Sequence, residues 1–462
     1  MNGSIKKIIN FRFDRYEDME LKLEKLAAKG LFLEDCGPYL WTFKKGAPKN
    51  LAYTVTFFPE GSVFNPGITD NQQTYFDYAK AAGYHFVTAF NQMQIFWSEP
   101  DNPIPFETDP AEKLKNIKRC MNKSFLPSTI VLLVVLLFNL IVQFNSFRMD
   151  PIEFLSNSNQ LVSGLMFLAF VIYQLYILIS YLSWIHRSEK SIATGGDLVK
   201  NGGRAARVVN LIFAALIITT TSYLLLSLAF QISWFAILLI VVQAPLQMVI
   251  FSSSINYLKS KKASALKNKV VSVALLFLVN FSYFGLILNL VVDHGMNPVH
   301  RTPVRTVQWT LNDANTHEYT LYRDDIPLTY EDLYGQVDYD YYSYQRESDQ
   351  TYFLSKTEYR QDSLPAIDSP PEIHYEILEP KFDFVYDLVQ NHLREVPTWR
   401  DSVTNEPIDN QIFNTTLAYQ SHYDGTPTGE YLLLFEKKIV VLTLTEPLNL
   451  DQIQIVKEKL NL

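Results

Sequence analysis

The chain has 462 residues, 48% of them hydrophobic, and a formal net charge of −8, length enough for two soluble domains besides a membrane part. The charge is uneven: from Asp293 onward there are 29 acidic against 13 basic side chains, so the remainder is net positive. An acidic, Tyr-rich C-terminal part argues against nucleic acid as a partner there, and a chain with only Cys36 and Cys120 is no disulfide scaffold.

Residues 1–105 read as a compact α+β domain. The first stretch, MNGSIKKIINFRF, lacks the apolar core of a signal peptide and is expected to be retained. KKIINFRF alternates as a strand does. Asp14 is the expected N-cap of a helix over Tyr16–Lys29, with Met19, Leu21, Leu23, Leu26 and Ala27 near helical spacing and Gly30 closing it. LFLEDC and YLWTFK form a strand pair turned at Gly37-Pro38, and LAYTVTFF follows the turn KKGAPKN. QTYFDYAKAAGY is a short helix closed by Gly83, and HFVTAF with MQIFWSE is a hairpin around Asn91-Gln92. The order predicts one sheet with two helices on a face. Lys44, Lys45 and Lys49 surround a turn beside Trp41, Phe43 and Tyr53. Basic and aromatic residues together form a candidate partner-binding surface; the plainer alternative is an ordinary surface turn.

AAKGLFLEDCGPYLWTFKKGAPKNLAYTVTFF, followed by YFDYAKAAGYHFVTAF and MQIFWSE, resembles the bacterial family named "domain of unknown function 2812". The resemblance rests on the helix ending in Ala-Lys-Gly, the aromatic strand running into Lys-Lys-Gly-x-Pro, and the Ala-Gly-Tyr before the terminal aromatic hairpin. It implies a membrane protein of Gram-positive-type bacteria, often encoded beside a PadR-like repressor and without an established biochemical activity. No catalytic residues carry over, since the family defines none.

Residues 106–124 are a basic juxtamembrane linker of helical character that continues into the first of five apolar runs, near 125–144, 161–185, 208–228, 232–251 and 270–292. Each run is about 20 residues without Asp, Glu, Lys or Arg, the length a helix needs to cross a bilayer. The alternative is four spans, with Val208–Phe251 as a buried hairpin. Lys113, Lys115, Lys118, Arg119 and Lys123 precede the first run. Arg187, Lys190, Lys200, Arg204 and Arg207 separate the second from the third, and Lys259, Lys261, Lys262, Lys267 and Lys269 the fourth from the fifth. The intervening loops are poor in cations, so the N-terminus is expected in the cytoplasm and the C-terminus outside. Asn139, Gln174, Gln243, Asn280 and Asn289 read as interhelical hydrogen-bonding groups, and Pro245 marks a kink. SEKSIATGGDLVKNGGRAAR reads as a flexible connector, without the spacing of a phosphate-binding loop.

Residues 293–462 read as an acidic extracytoplasmic α+β domain. TVQWTL and HEYTLYR are strands, as are VDYDYYSY with QTYFLSKTEYR, and IHYEILE. DFVYDLVQNHLRE is an amphipathic helix, YLLLFEKKIVVLTLTE a hairpin, and LDQIQIVKEKL a closing helix. None of His294, His300, His317, His374, His392 and His422 has metal-ligand spacing. The nearest approach is His374 between Glu372 and Glu376 on one strand face, a pattern more common as a polar row. Asp338, Asp340, Glu331 and Asp332 lack the glycine-bearing spacing of a calcium loop.

The chain thus reads as a multi-span α-helical membrane protein, with five transmembrane helices between a cytoplasmic and an extracytoplasmic α+β domain. The expected function is non-enzymatic signalling or regulation, with no cofactor, metal or catalytic residue. Its expected partners are the lipid bilayer and a cytoplasmic regulator or another membrane protein. The alternative is a transport-accessory or permease subunit; an envelope enzyme has no motif behind it.

Overall fold

A computed structural model describes residues 4–9, 13–37, 40–99, 109–201, 204–231, 234–294, 303–310, 316–335, 342–363, 372–395 and 403–462. The chain divides into two compact units, Met1–Asn139 with Met166–Asn297, and Leu140–Leu165 with Pro298–Leu462.

The first unit begins with β1 (Ser4–Ile8), α1 (Tyr16–Ala27), β2 (Leu31–Cys36), β3 (Leu40–Lys45), β4 (Ala52–Phe57), α2 (Asp70–Ala81), β5 (His85–Phe90) and β6 (Met93–Ser98). The element order follows the sequence reading, but the single sheet does not: there are two three-stranded sheets, β1-β3-β2 and β4-β6-β5. At the seam, β2 is bulged between Leu33 and Asp35, and β5 between Phe86 and Thr88. A bulge removes the regular row of donors and acceptors that a neighbouring strand needs. Side chains join the seam instead, with Thr88 Oγ1 donating to Asp35 Oδ1 at 3.0 Å.

α1 buries Tyr16, Met19, Leu23 and Ala27. It also satisfies the outer edge of β4, where Val55 N donates to Glu20 Oε1 at 2.8 Å and Tyr53 N to Glu24 Oε1 at 3.4 Å. Carboxylates replace a further strand there and close the edge to pairing. Asp14 is not the cap of α1. Arg15 occupies that position without a side-chain bond, after a single 3-10 turn, Phe13–Arg15. Gly30, at φ +75°, closes the helix as expected, and a Cβ there would lie 2.3 Å from Gly46 O. α2 is capped by Thr69 and covers the far face of β4-β6-β5, over Ala79, Tyr84 and Phe96.

Next come α3 (Pro110–Cys120), a π-turn (Met121–Phe125), α4 (Leu126–Met149), α5 (Pro151–Ser156), α6 (Ser158–Ala193), α7 (Arg204–Gln231), α8 (Trp234–Ser260) and α9 (Ala265–His294). Among the described residues, four helical segments are long and apolar enough to cross a membrane: Pro110–Met149, Ser158–Ala193, Val208–Ser227 and Ala265–Leu286. The first is 40 residues long, so the basic linker and the first apolar run form one helix. Large apolar side chains stand outward along these segments, Phe138 65% and Phe281 75% exposed, as lipid-facing helices require. α8 covers the remaining run and continues through Pro245. Gln243 and Asn280 do bond across helices: Asn280 Oδ1 accepts from Gln247 Nε2 at 2.7 Å and from Gln243 Nε2 at 3.4 Å. Asn139 instead donates to Val135 O of its own helix, and the Asn289 side chain lies outside the described residues.

In the second unit β7 (Pro303–Thr310) pairs with β8 (Thr316–Tyr322). There follow α10 (Tyr330–Tyr334), β9 (Tyr342–Gln350), β10 (Leu354–Ser363), β11 (Ile373–Pro380), α11 (Asp383–Arg394), β12 (Val403–Ile408), β13 (Leu417–Tyr423), β14 (Thr426–Leu434), β15 (Ile439–Leu444) and α12 (Leu450–Lys459). Seven strands make one antiparallel sheet in the order β12-β13-β14-β15-β11-β10-β9. The strict alternation of β14 and β15 serves two cores. Tyr431, Leu433, Val440 and Leu442 face one core with Tyr359, Tyr375 and Val456 of α12. Leu432, Leu434 and Ile439 face the other, with Val385 and Val389 of α11 and Ile152 and Leu155 of α5.

Candidate functional site

The second core holds the clearest candidate. Its covering layer, α5, comes from the short connection between α4 and α6. Asp150 caps it by accepting from Glu153 N at 2.8 Å, and Pro151 occupies the first turn. α5 lays Ile152 and Leu155 on the sheet, flanked by Phe147, Phe154 and Leu161. Hydrogen bonds fix the seat: Thr351 Oγ1 donates to Leu155 O at 2.5 Å, and Ser158 Oγ donates to Gln350 O at 3.0 Å.

Beside this apolar contact lies an ionic cluster. Lys356, Glu358 and Arg360 share one face of β10, and the register of β10 against β11 sets Glu358 opposite Glu376 and Arg360 opposite His374. Lys356 Nζ is 3.5 Å from Glu153 Oε2 on α5, 3.5 Å from Glu358 Oε2 and 3.6 Å from Glu376 Oε1. Arg360 bonds Glu358, and His374 Nε2 lies 3.0 Å from Glu358 Oε1. The Glu358 side chain is only 9% exposed. The bond from His374, together with the charges of Arg360 and Lys356, outweighs its burial and lowers its carboxyl to about 2. Burial opposes the charge of Lys356, yet Glu376, Glu358 and Glu153 hold its ammonium above the ordinary value.

The expected row of Glu372, His374 and Glu376 is therefore redrawn. Glu372 N bonds Thr445 Oγ1 away from the cluster, and cross-strand Glu358 takes its place. Glu358, His374 and Glu376 bring ligand atoms within 4.8 Å of one another. A divalent ion would first have to displace Lys356 and Arg360, two permanent cations already matched to these carboxylates. The chemistry of the arrangement is an ion-pair latch between β10, β11 and α5. In the other acidic group, Asp338 and Asp340 lie outside the described residues. Glu331 accepts from Tyr344 Oη and from Gln361 Nε2, and Asp332 completes the capping box of α10 by accepting from Thr329 N, and meets Lys459 at 2.8 Å.

The expected partner surface of the N-terminal domain is corrected by the pleat of β3. Trp41 and Phe43 point into the core and are fully buried, as is nearly all of Tyr53 on β4. Lys44, Lys45 and Lys49 are exposed. Lys49 Nζ pairs with Glu99 at 2.6 Å and lies over the Trp97 ring, leaving Lys44 and Lys45 as the basic pair on the surface.

That same core takes in helices from the membrane part. Leu114, Ile117 and Cys120 of α3, Met121, and Tyr181 and Trp184 of α6 belong to it, together with Leu198. The connector after α6 is correspondingly not loose. Trp184 Nε1 donates to Val199 O at 2.7 Å, Lys200 pairs with Glu17 at 3.1 Å, and Asn201 Nδ2 donates to Asp14 Oδ2 at 2.5 Å. Its paired glycines suggested flexibility; the buried Leu198 between them carries the opposite signal. Of the second pair, Gly202 and Gly203 lie outside the described residues. Burial displaces groups in this domain, among them the Glu20 carboxyl, pushed up to about 7, and the Cys36 thiol, pushed up to about 12. A thiol so held is unreactive.

Residues 15–129 match the model of the family described as "Protein of unknown function (DUF2812)". The matched stretch runs from the start of α1 through α3 into α4. No curated protein and no solved structure matches the chain.

Proposed function

We propose that this is a non-enzymatic transmembrane regulatory protein. In this reading a cytoplasmic N-terminal domain holds a cytoplasmic partner, and an extracytoplasmic C-terminal domain controls it through the helices that both grip. The observation that carries the reading is the double role of the first helical hairpin. At one end α3 and α6 contribute Ile117 and Trp184 to the core of the N-terminal domain. At the other end α5, between α4 and α6, contributes Ile152 and Leu155 to a core of the C-terminal sheet.

The orientation is supported by charge. The N-terminal domain packs on the cation-rich ends of the helices: Lys123 Nζ donates to Pro59 O at 2.9 Å, and Asn268, in the basic segment after α8, donates to Phe64 O. α8, at 27 residues, rises about 40 Å and serves as the fifth crossing. Lys44 and Lys45 are the surface offered to the partner.

The test is a gentle-detergent pull-down of the intact chain from its own cells, compared with Leu155→Asp, which places a charge in the α5 contact. A cytoplasmic protein whose retention changes between the two supports the reading. A transporter or ATPase retained equally by both replaces it with the accessory-subunit reading.

A further inference from the structure

We infer that the α8–α9 hairpin pairs with that of a second copy of the chain, through an amide patch at mid-membrane. The inference rests on α8 crossing the bilayer and is independent of the regulatory reading. Polar side chains run along the contact between the two helices. At its basic end they are closed off: Asn268 and Ser272 are fully buried, Asn268 Nδ2 donates to Ile255 O at 3.3 Å, and Ser254 Oγ donates to Ser272 Oγ at 2.9 Å. At mid-membrane the same contact is open. Gln243, Gln247 and Asn280 are half-buried. Asn280 Oδ1 accepts from both glutamines, and its Nδ2 donates to Leu276 O at 2.8 Å. Asn280 is thereby satisfied, and the glutamines are not. Among the described residues, Gln243 Oε1 and Gln247 Oε1 accept no bond, and each Nε2 keeps a second N–H. Pro245 adds a further acceptor, since it has no N–H for the carbonyl of Val241, a residue 52% exposed.

Lipid cannot satisfy these atoms. Gln243 stands about 12 Å of helix from Phe251, the nearer end of its apolar run, and Asn280 about 15 Å from Val270. Hydrocarbon at that depth offers no donor, and an amide left unpaired in it is strongly disfavoured. A second copy supplies donors at the right height. Two chains inserted the same way are related by a two-fold axis along the membrane normal, which sets identical residues at identical depth. A glutamine amide carries both a donor and an acceptor, so Gln243 and Gln247 complement themselves across such an axis. Gln174 of α6, whose amide bonds nothing among the described residues, is the rival donor within the chain.

Counting photobleaching steps on the full chain, carrying one fluorophore and reconstituted in liposomes over a range of protein-to-lipid ratios, tests this. The natural sequence is expected as dimers. Gln243→Leu, which within the chain loses only a 3.4 Å bond to Asn280, should raise the ratio needed for half-dimerisation about sevenfold. Adding Gln247→Leu should raise it on the order of fiftyfold, at the average strength of hydrogen bonds between membrane helices. Gln174→Leu should leave it unchanged. A charged maleimide applied to Val242→Cys checks the premise: labelling shows that α8 does not cross, and ends the inference with it. With that thiol shielded, a monomeric natural chain overturns the inference alone. So does a dimer that survives both glutamine substitutions or that yields to Gln174→Leu. A chain monomeric in pure lipid yet paired with another protein in native membranes assigns the patch to that protein instead.

Discussion

Glu20 shows how one side chain can serve a fold and tax it at once. Its carboxyl closes the β4 edge through Val55 N, yet burial raises it to about 7 from an ordinary 4.5. The folded state therefore binds the proton more tightly than the unfolded one. This contribution to stability is full below about pH 4.5 and is lost as pH rises through 7. Lys113, Glu17 and Glu24 are the charged groups that act on it. Glu20→Gln keeps an acceptor for Val55 and removes the charge. Thermal unfolding of the full chain should show the variant more stable at pH 8, by on the order of 1 kcal/mol, with the difference gone by pH 5. An unchanged pH profile would mean that Glu20 is solvated. At this scale the sequence is legible where the signal is local. Asn449 caps α12, the closing helix read from LDQIQIVKEKL, in a reciprocal box with Gln452. Asp14 misleads because its partner, Asn201, lies far along the chain.

Elements were legible wherever apolar periodicity dominates, and pairings wherever a turn is short. The β2–β3, β5–β6 and β14–β15 hairpins follow the sequence reading. The split into two sheets does not, because bulges at the seam leave no trace in residue type. Nor do β12, at the sheet edge, and β13 beside it, where polar side chains alternate only weakly. The ionic latch was half visible. His374 and Glu376 sit on one strand, but Glu358, Lys356 and Arg360 join them only through a register that sequence spacing does not encode. Lys356 is the node of the latch, 15% exposed, whereas Glu153 is 37% exposed. Lys356→Ala leaves Glu153, Glu358 and Glu376 without their shared cation and should cost about 2 kcal/mol, while Glu153→Ala should cost under about 1 kcal/mol. Because the Glu358 carboxyl is lowered from 4.5 to about 2, the latch contributes fully above pH 4.5 and weakens as pH falls towards 2. Denaturant unfolding monitored in the C-terminal domain checks both; equal costs for the two variants would remove Lys356 from the centre of the cluster.

For the molecule as a whole, composition already separated an apolar middle from two folded ends, and the helices follow the five expected runs closely. The way the ends hold the middle was not legible. Trp184 and Leu155 read simply as span and loop residues, and only the folded chain shows each inside the core of a sheet-containing region. The proposed regulation requires that a change at α5 reach the N-terminal core. The direct test is hydrogen–deuterium exchange on the full chain in lipid nanodiscs, comparing the natural sequence with Leu155→Asp. The account predicts faster exchange around α5 and β10, and with it altered exchange in the N-terminal unit, at residues 113–121 and 184–201. A change confined to the C-terminal unit, with those segments untouched, would contradict it.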